Sequence, residues 1–153
     1  MHLTKKTYVK NWNHTPDEQK FSISVKQNGK DHPYIKKDRI SYIEENIGYW
    51  RKANHIHKWF VDNVQDGVDQ CQITYVDHSQ LKDLLDLCKE VKSNHTLAQE
   101  LLPCSSGFFF GCEDYDDYYF NDIDNTIAII EEELATVDED GCYSGSVYYH
   151  SSW

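Results

Sequence analysis

No run of apolar residues in this sequence approaches the roughly 18 residues that a membrane-spanning helix needs. The N-terminal segment MHLTKKTYVK also lacks the apolar core of a signal peptide. We therefore expect a cytoplasmic protein that has no membrane partner.

Cysteine pairs of the CxxC type are absent, and no spacing of Cys and His fits a zinc knuckle. The odd number of cysteines and the missing secretion signal favour free thiols in a reducing compartment, with a zinc site as the minor alternative. The five cysteines are Cys71, Cys88, Cys104, Cys112 and Cys142. We expect neither a bound metal nor a cofactor.

The sequence also contains no GxSxG, Walker A, HExxH or GxGxxG motif. The most easily recognised classes of hydrolase, nucleotide-binding enzyme and metalloprotease are therefore not indicated. We assign no residue a catalytic role, and an enzyme remains an alternative.

Basic residues are concentrated at the start of the chain. Residues 1–39 hold nine Lys and Arg against four Asp and Glu, a net charge of +5, whereas residues 40–153 hold six against 22, a net charge of −16. Such a chain would repel duplex nucleic acid as a whole. We expect Lys5, Lys6 and Lys10 in solvent at a strand edge, the alternative being that one of them points at a helix.

Aromatic residues are abundant, with 11 tyrosines and four tryptophans among 153 residues. This content argues against a disordered chain, and both residue types favour binding surfaces and ligand pockets. The length suits one domain with a real core, so we expect a single domain spanning residues 1–153.

Alternating apolar residues predict strands at both ends of the chain. The patterns at Leu3–Trp12, Phe21–Val25 and Tyr143–His150 each predict a strand. The turn signal Asn28-Gly29 predicts a hairpin that returns through Lys30–Ile35.

Apolar residues that recur at steps of three and four predict three main helices. The longest runs from about Arg39 to Val64 and contains Gly48, which suggests a close contact there. A capping box at Asp77–Gln80 begins the second, and Asp116 or Asp117 begins the third. The expected fold class is α+β: a single domain in which a mostly antiparallel sheet, made of the N- and C-terminal strands and one hairpin, packs against about three helices.

The stretch Tyr49–Phe60, YWRKANHIHKWF, concentrates aromatic, cationic and amide side chains near the apolar stripe of the first predicted helix. A helix that only fills a core would not use so many polar groups. A guanidinium binds phosphate oxygens, amide and imidazole groups contact polar atoms, and an indole stacks on a ring. The ligand-binding residues predicted on this stretch are Tyr49, Trp50, Arg51, Lys52, Asn54 and His57.

The opposite wall of the predicted pocket comes from distant parts of the chain. Small hydroxyl and glycine residues let backbone N–H groups approach an oxyanion, which suggests Ser106 and Gly107, with Phe109 beside them. The terminal Trp153 is predicted to close the pocket.

Three alternatives stay open for these polar groups. Asn54 and His57 can form a buried structural network instead of a ligand site. Arg51 and His57 are separated by five residues, a spacing that resembles the motif of HEPN-type ribonucleases, although those domains are all-helical. The acidic and aromatic run Glu113–Phe120 favours the start of a helix, with a divalent-cation site as the minor alternative.

Four parts of the chain carry a family resemblance. They are KKTYVKNW (Lys5–Trp12), ISYIEENIGYWRKANHIHKWFVDNVQDG (Ile40–Gly67), SGFFFG (Ser106–Gly111) with YDDYYF (Tyr115–Phe120), and YYHSSW (Tyr148–Trp153). In these parts the chain resembles a family of small proteins of uncertain function from tailed phages and bacterial prophages. The resemblance implies an accessory protein of phage origin in the cytoplasm of a bacterial host cell, and it implies no reaction or catalytic residues.

Small phage proteins often counter host defence, and one class sequesters the nucleotide messenger of a defence system. We therefore predict a phage-type protein that binds a small phosphorylated or nucleotide-like ligand without turning it over. A homo-oligomer with composite pockets is compatible with the tight binding that sequestration needs. The alternatives are a hydrolase or nuclease acting on a nucleotide, and an acidic protein–protein inhibitor of a host factor.

Overall fold

One antiparallel sheet with helices packed on one face forms the body of the protein. The computed structural model describes residues 1–105, 113–137 and 142–152. Within them, the strands are β1 (His2–Tyr8), β2 (Lys26–Gln27), β3 (Lys30–Asp31), β4 (Tyr42–Tyr49), β5 (Thr74–Val76) and β6 (Ser146–His150). The helices are α1 (Asn54–Val64), α2 (His78–Ser93), α3 (Ala98–Leu101) and α4 (Asp117–Leu134). The predicted α+β fold class is confirmed.

The main sheet has four strands in the order β4-β1-β6-β5, and every neighbouring pair is antiparallel. The N-terminal strand β1 therefore lies between β4 and the C-terminal strand β6. This arrangement confirms the prediction that the two ends of the chain share one sheet.

The predicted hairpin is present but shorter than its sequence pattern suggested, and it forms a two-stranded sheet of its own instead of joining the main sheet. Strands β2 and β3 pair around Asn28 and Gly29, whose φ angles of 53° and 77° are those that a type I′ turn requires. The strand predicted at Phe21–Val25 is wrong, because no neighbouring strand pairs with that segment within the described residues. Phe21 is half exposed, so the alternating apolar residues of this segment do not pack against the core.

The predicted helix from Arg39 to Val64 is wrong in its first half, because Tyr42–Tyr49 forms strand β4. A β-bulge opposite Leu3 and Thr4 breaks the alternation of inward and outward residues in this strand. Its isoleucines are therefore spaced by chance as they would be in a helix. The β-branched and aromatic residues of the segment favour the strand that forms.

Gly48 lies where β4 passes closest to α4. A Cβ atom at this position would lie 2.9 Å from Ile129 Cγ2 and 3.2 Å from Leu3 Cβ. The predicted close contact is confirmed, although Gly48 lies in a strand and not inside a helix. The missing side chain lets β4 pack directly under α4.

The remaining helix boundaries follow their sequence signals. Gly67, with φ at +73°, ends the turn that follows α1. Asp77 and Gln80 form the predicted capping box of α2. The Asp116 carboxylate accepts two backbone N–H groups from the first turn of α4 and caps that helix.

The hydrophobic core lies between the inner face of the sheet and the helices. Its largest fully buried side chains include Trp50, Tyr149, Phe60, Leu3, Ile56 and Leu81. The ring of Phe60 stacks on the ring of Tyr149 with centroids 4.0 Å apart, which joins α1 to β6. In the described part of the chain, no helix is both long enough and apolar enough to cross a bilayer.

Candidate ligand site

The connection between β4 and α1 brings two cationic side chains to the surface beside a buried indole. Trp50 is buried, and its Nε1 donates to Thr126 Oγ1 on α4 at 2.8 Å. Arg51 and Lys52 follow it and are exposed. Lys52 has φ at +63°, a left-handed conformation that L-residues with a Cβ rarely adopt. In this turn the Trp50 side chain packs in the core, and the next two side chains are exposed.

Beside this turn lies a cavity of about 360 Å³, which we call the His55 cavity. It brings together the β4–α1 turn, the start of α1 and the residues at the start of α4. Its lining includes Arg51, Lys52, His55, Asp114, Tyr118 and Asp122. Side chains of both charges and an exposed phenol therefore face one concave space.

His55 is the buried polar group of this cavity. Its side chain is only 3% exposed, and its ring stacks on Tyr119 with centroids 4.0 Å apart. Its Nε2 atom has no hydrogen-bond partner among the described residues. Burial lowers the pKa of His55 to about 3, so the ring is neutral at physiological pH. His55 lines the cavity while its Nε2 lies beneath the cavity surface, and a ligand atom that reaches Nε2 would give it a partner.

The carboxylates of the cavity have unequal environments. Asp116 and Asp122 both line the cavity, but Asp116 also caps α4, whereas Asp122 is half-buried. Burial, with a smaller contribution from the negative charge of Asp116, raises the pKa of Asp122 to about 6. Asp122 therefore exchanges its proton close to neutral pH and can accept or donate a hydrogen bond there.

The N-terminus of α1 points its positive dipole end toward this region. Among the described residues, no side chain caps the helix at Ala53. The next residue, Asn54, is buried, and its Oδ1 accepts the backbone N–H of Ser105 at 3.4 Å. Asn54 thus ties the start of α1 to the segment that precedes residues 106–112. The uncapped helix start adds partial positive charge beside Arg51 and Lys52.

His57 lies on another face of α1 and belongs to a buried network. Its Nδ1 lies 2.7 Å from Tyr149 Oη, and its Nε2 lies 2.9 Å from Asp69 Oδ2. Tyr149 is fully buried, and this burial raises the pKa of its phenol above the ordinary range. His57 therefore joins α1 to β6 and to the loop that carries Asp69.

The structure brings together only part of the predicted site. Arg51 and Lys52 line the His55 cavity, Asn54 lies at its edge without lining it, and Trp50 and His57 are core residues. Tyr49 is half exposed, on the outer face of the sheet beside His2. Ser106, Gly107, Phe109 and Trp153 lie outside the described residues.

Sequence reasoning missed His55 and Asp122. In the predicted helix, His55 shares a stripe with Arg51 and Lys58, and His57 was preferred because it shares one with Trp50, which lies outside α1. No local pattern identifies Asp122, because its place in the cavity depends on how α4 packs near α1.

A second buried polar cluster joins the sheet to α4. Lys5 Nζ lies 3.0 and 3.1 Å from the two carboxylate oxygens of Glu133 and donates to Thr136 Oγ1 at 2.8 Å. His78 Nε2 lies 3.3 Å from Glu133 Oε1. Lys5 therefore points at a helix, which is the alternative to the solvated position we expected. Its three N–H donors are all used, so the cluster is structural.

Within residues 1–105, 113–137 and 142–152, no three His, Cys, Asp or Glu side chains come together as a metal site. The chain matches no protein-family model, and neither a curated protein nor a solved structure is significantly similar to it. The resemblance to phage proteins stays a prediction.

Proposed function

We propose that the protein binds a small phosphorylated or nucleotide-like ligand in the His55 cavity. The observation that carries the proposal is the buried His55, whose Nε2 has no partner among the described residues and whose side chain lines a cavity with two cationic side chains. Leaving a buried polar atom unsatisfied costs about 1–3 kcal/mol. A ligand atom that bonds Nε2 would recover that cost.

The charges of the cavity favour a ligand with both acceptor and donor groups. Arg51, Lys52 and the start of α1 suit phosphate oxygens, because a guanidinium binds them in pairs and a helix N-terminus attracts anions. Asp122 suits a hydroxyl or amino donor. The three carboxylates of the lining repel a simple anion, whereas a nucleotide can place its phosphate at the cations and its hydroxyl or amino groups at the carboxylates.

An exposed aromatic ring completes the match to a nucleotide. Tyr118 is 81% exposed and lines the cavity, so its face is free to stack on a base. The volume of about 360 Å³ is in the range of pockets that hold small ligands. Sequestration of a nucleotide messenger of host defence is the biological role that the sequence resemblance suggests for such binding.

An enzyme acting on the same ligand is the second candidate. It is favoured by one observation, the pKa of Asp122 at about 6, which suits a carboxyl that exchanges protons near neutral pH. Sequestration and turnover differ in what happens to the bound molecule, so one experiment separates them.

The experiment measures thermal shifts with a panel of nucleoside mono-, di- and triphosphates and cyclic dinucleotides. A nucleotide that raises the melting temperature is then incubated with the protein, released by heat and analysed by mass spectrometry. Recovery of the intact nucleotide supports sequestration, and an altered nucleotide supports the enzyme. If no member of the panel binds, the proposal is wrong.

The second arginine of the chain provides a matched control for the cation of Arg51. The two arginines are Arg51, which lines the cavity, and Arg39, which is exposed elsewhere. Arg51→Gln is expected to weaken nucleotide binding at least tenfold, whereas Arg39→Gln leaves it unchanged. Equal effects of the two variants would mean that net charge, and not the cavity, controls binding.

A further inference from the structure

The outer face of the main sheet carries a row of aromatic side chains opposite the core. Along β1, Leu3 and Lys5 are buried and point inward, so His2, Thr4, Lys6 and Tyr8 point outward. The strand register extends this outer face over β4, β6 and β5. The outward residues on those strands include Tyr42, Tyr49, Tyr75, Tyr148 and His150.

We infer that this outer face binds single-stranded nucleic acid through stacked bases. None of its residues lines the His55 cavity, so the inference is independent of the proposed function. Four-stranded sheets with exposed aromatic rings bind unpaired bases in this way, because every base has a face that can stack on a ring.

The aromatic side chains are exposed and spaced across the sheet. Tyr42, Tyr49 and Tyr75 are 53%, 52% and 50% exposed. The rings of Tyr75 and Tyr148 lie with centroids 5.9 Å apart on β5 and β6. The face therefore offers separate stacking positions near both edges of the sheet.

Lysine side chains lie beside the rings at one end of this face. Lys6 Nζ lies 5.2 Å from the ring centre of Tyr42, and Lys10 Nζ lies 5.5 Å from that of Trp12. The ring of Trp12 stacks with that of Tyr8 at a centroid distance of 6.4 Å. Ammonium groups next to stacking rings suit a chain that alternates bases and phosphates.

The distribution of charge supports the same partner. Residues 1–39, which contain β1 and the segment after it, carry a net charge of +5 within a chain of −11. The exposed faces of α2 and α4, on the opposite side of the sheet, carry many carboxylates. These include Asp83, Asp86, Glu90, Asp124, Glu131 and Glu132. A polyanion is therefore repelled from the helices, and Lys6 and Lys10 are the cations that it can meet at the outer face.

The composition of the face argues against a protein partner. Its outward positions on the four strands hold tyrosine, histidine, threonine, serine, asparagine, lysine and one glutamate, with no Leu, Ile, Val or Met. The core of a protein interface is depleted of charged residues, whereas Lys6 and Glu44 lie opposite each other among these rings. Duplex nucleic acid is also disfavoured, because paired bases cannot lie flat on tyrosine rings.

The test uses fluorescence anisotropy of the full chain with labelled oligo-dT and oligo-U, compared with a duplex of equal length. We expect binding of the single strands with at least tenfold preference over the duplex. Tyr75→Ala and Tyr148→Ala should each weaken binding roughly five- to a hundredfold, the range measured for lost stacking on one base. Tyr34→Ala, at a tyrosine that is 86% exposed outside the sheet, should have no effect.

A matched pair of lysine substitutions tests how much charge contributes to binding of the single strands. Lys6→Ala should reduce the dependence of log affinity on log salt concentration by about 0.7 if Lys6 contacts one phosphate. Lys92→Ala, on the helical side, should leave that dependence unchanged. The inference is overturned if the single strands do not bind, if the duplex binds equally well, or if Tyr75→Ala abolishes self-association in light scattering without an effect on oligonucleotides.

Discussion

His55 and His57 lie two residues apart on α1 and are both buried, but only His57 has hydrogen-bond partners for both ring nitrogens. His57 contacts Tyr149 on β6 and Asp69, whereas His55 stacks on Tyr119 of α4 and leaves Nε2 without a partner among the described residues. One histidine therefore connects structural elements, and the other lines a cavity. Because their environments differ, substitutions of the two histidines can separate effects on stability from effects on ligand binding.

Replacement of His55 should reduce binding without a cost in stability. His55→Phe keeps an aromatic ring against Tyr119 and removes the unsatisfied nitrogen, and the adjoining cavity can accept the slightly larger ring. We expect the free energy of unfolding in urea to stay the same or to rise by about 1 kcal/mol. Nucleotide binding measured by calorimetry should fall at least tenfold.

The matched variant His57→Phe should behave in the opposite way. It leaves the buried Tyr149 hydroxyl without His57 and removes one contact of Asp69, so the free energy of unfolding should fall by roughly 3 kcal/mol. If His55→Phe destabilises the protein as much as His57→Phe does, His55 is a structural residue and not a ligand contact.

The left-handed conformation of Lys52 makes a second prediction about this cavity. Glycine adopts φ at +63° without strain, so Lys52→Gly should raise the free energy of unfolding by about 1 kcal/mol. The same change removes a cation from the cavity, and nucleotide affinity should fall. Lys52→Ala serves as the control, because it removes the cation but keeps the strain. A stability loss in Lys52→Gly would contradict the prediction.

The pH dependence of stability should identify Asp122. Its pKa is raised from 3.8 to about 6, so between these values the folded protein holds a proton that the unfolded chain has lost. The free energy of unfolding contributed by this group therefore falls as pH rises across that window. Asp122→Asn should gain stability relative to the wild type from about pH 4 to 6, by on the order of 1 kcal/mol after screening by solvent.

His55 changes the free energy of unfolding with pH in the opposite direction. Its pKa is lowered from 6.5 to about 3, so the unfolded chain binds a proton that the folded protein excludes, and stability falls as pH decreases from 6.5 toward 3. His55→Phe should therefore lose less stability than the wild type in acid. Urea unfolding at several pH values measures both variants, and parallel curves for wild type and Asp122→Asn would contradict the assignment.

The buried ion pair between Lys5 and Glu133 should be strongly coupled. Lys5→Met leaves the Glu133 carboxylate buried without its cation and should lower the free energy of unfolding by about 3–5 kcal/mol. The double variant Lys5→Met/Glu133→Leu should lose less than Lys5→Met alone, because no unpaired charge remains. Additive losses in this double-mutant cycle would show that the two residues act independently.

Local signals in the sequence predicted the fold where the chain itself supplies the information. The capping box at Asp77 and the helix start at Asp116 were predicted because their side chains bond to backbone nearby in sequence. Strand β4 was mistaken for a helix because a bulge disturbs its alternation, and its partner β1 lies about 40 residues away. Pairing over such a distance leaves no local pattern.

The sequence also predicted only part of the candidate site, because local patterns do not show which distant residues pack together. Arg51 and Lys52 were predicted because cationic side chains can hold the oxygens of a phosphate or carboxylate, and both line the cavity. His57 was chosen over His55 because the predicted helix from Arg39 to Val64 placed it on one stripe with Trp50, whereas α1 begins at Asn54 and Trp50 lies outside it. Asp122 comes to the cavity only through the packing of α4, which no spacing in the sequence indicates.

The most direct test of the central claim is the nitrogen chemical shift of His55 Nε2, measured by NMR on histidine-labelled protein with the nucleotide panel. Comparison with His55→Phe assigns the signal. The proposal predicts that a bound nucleotide shifts Nε2 of His55 while both nitrogens of His57 stay unchanged. It is contradicted if a nucleotide binds and leaves His55 unchanged, or if no nucleotide in the panel binds.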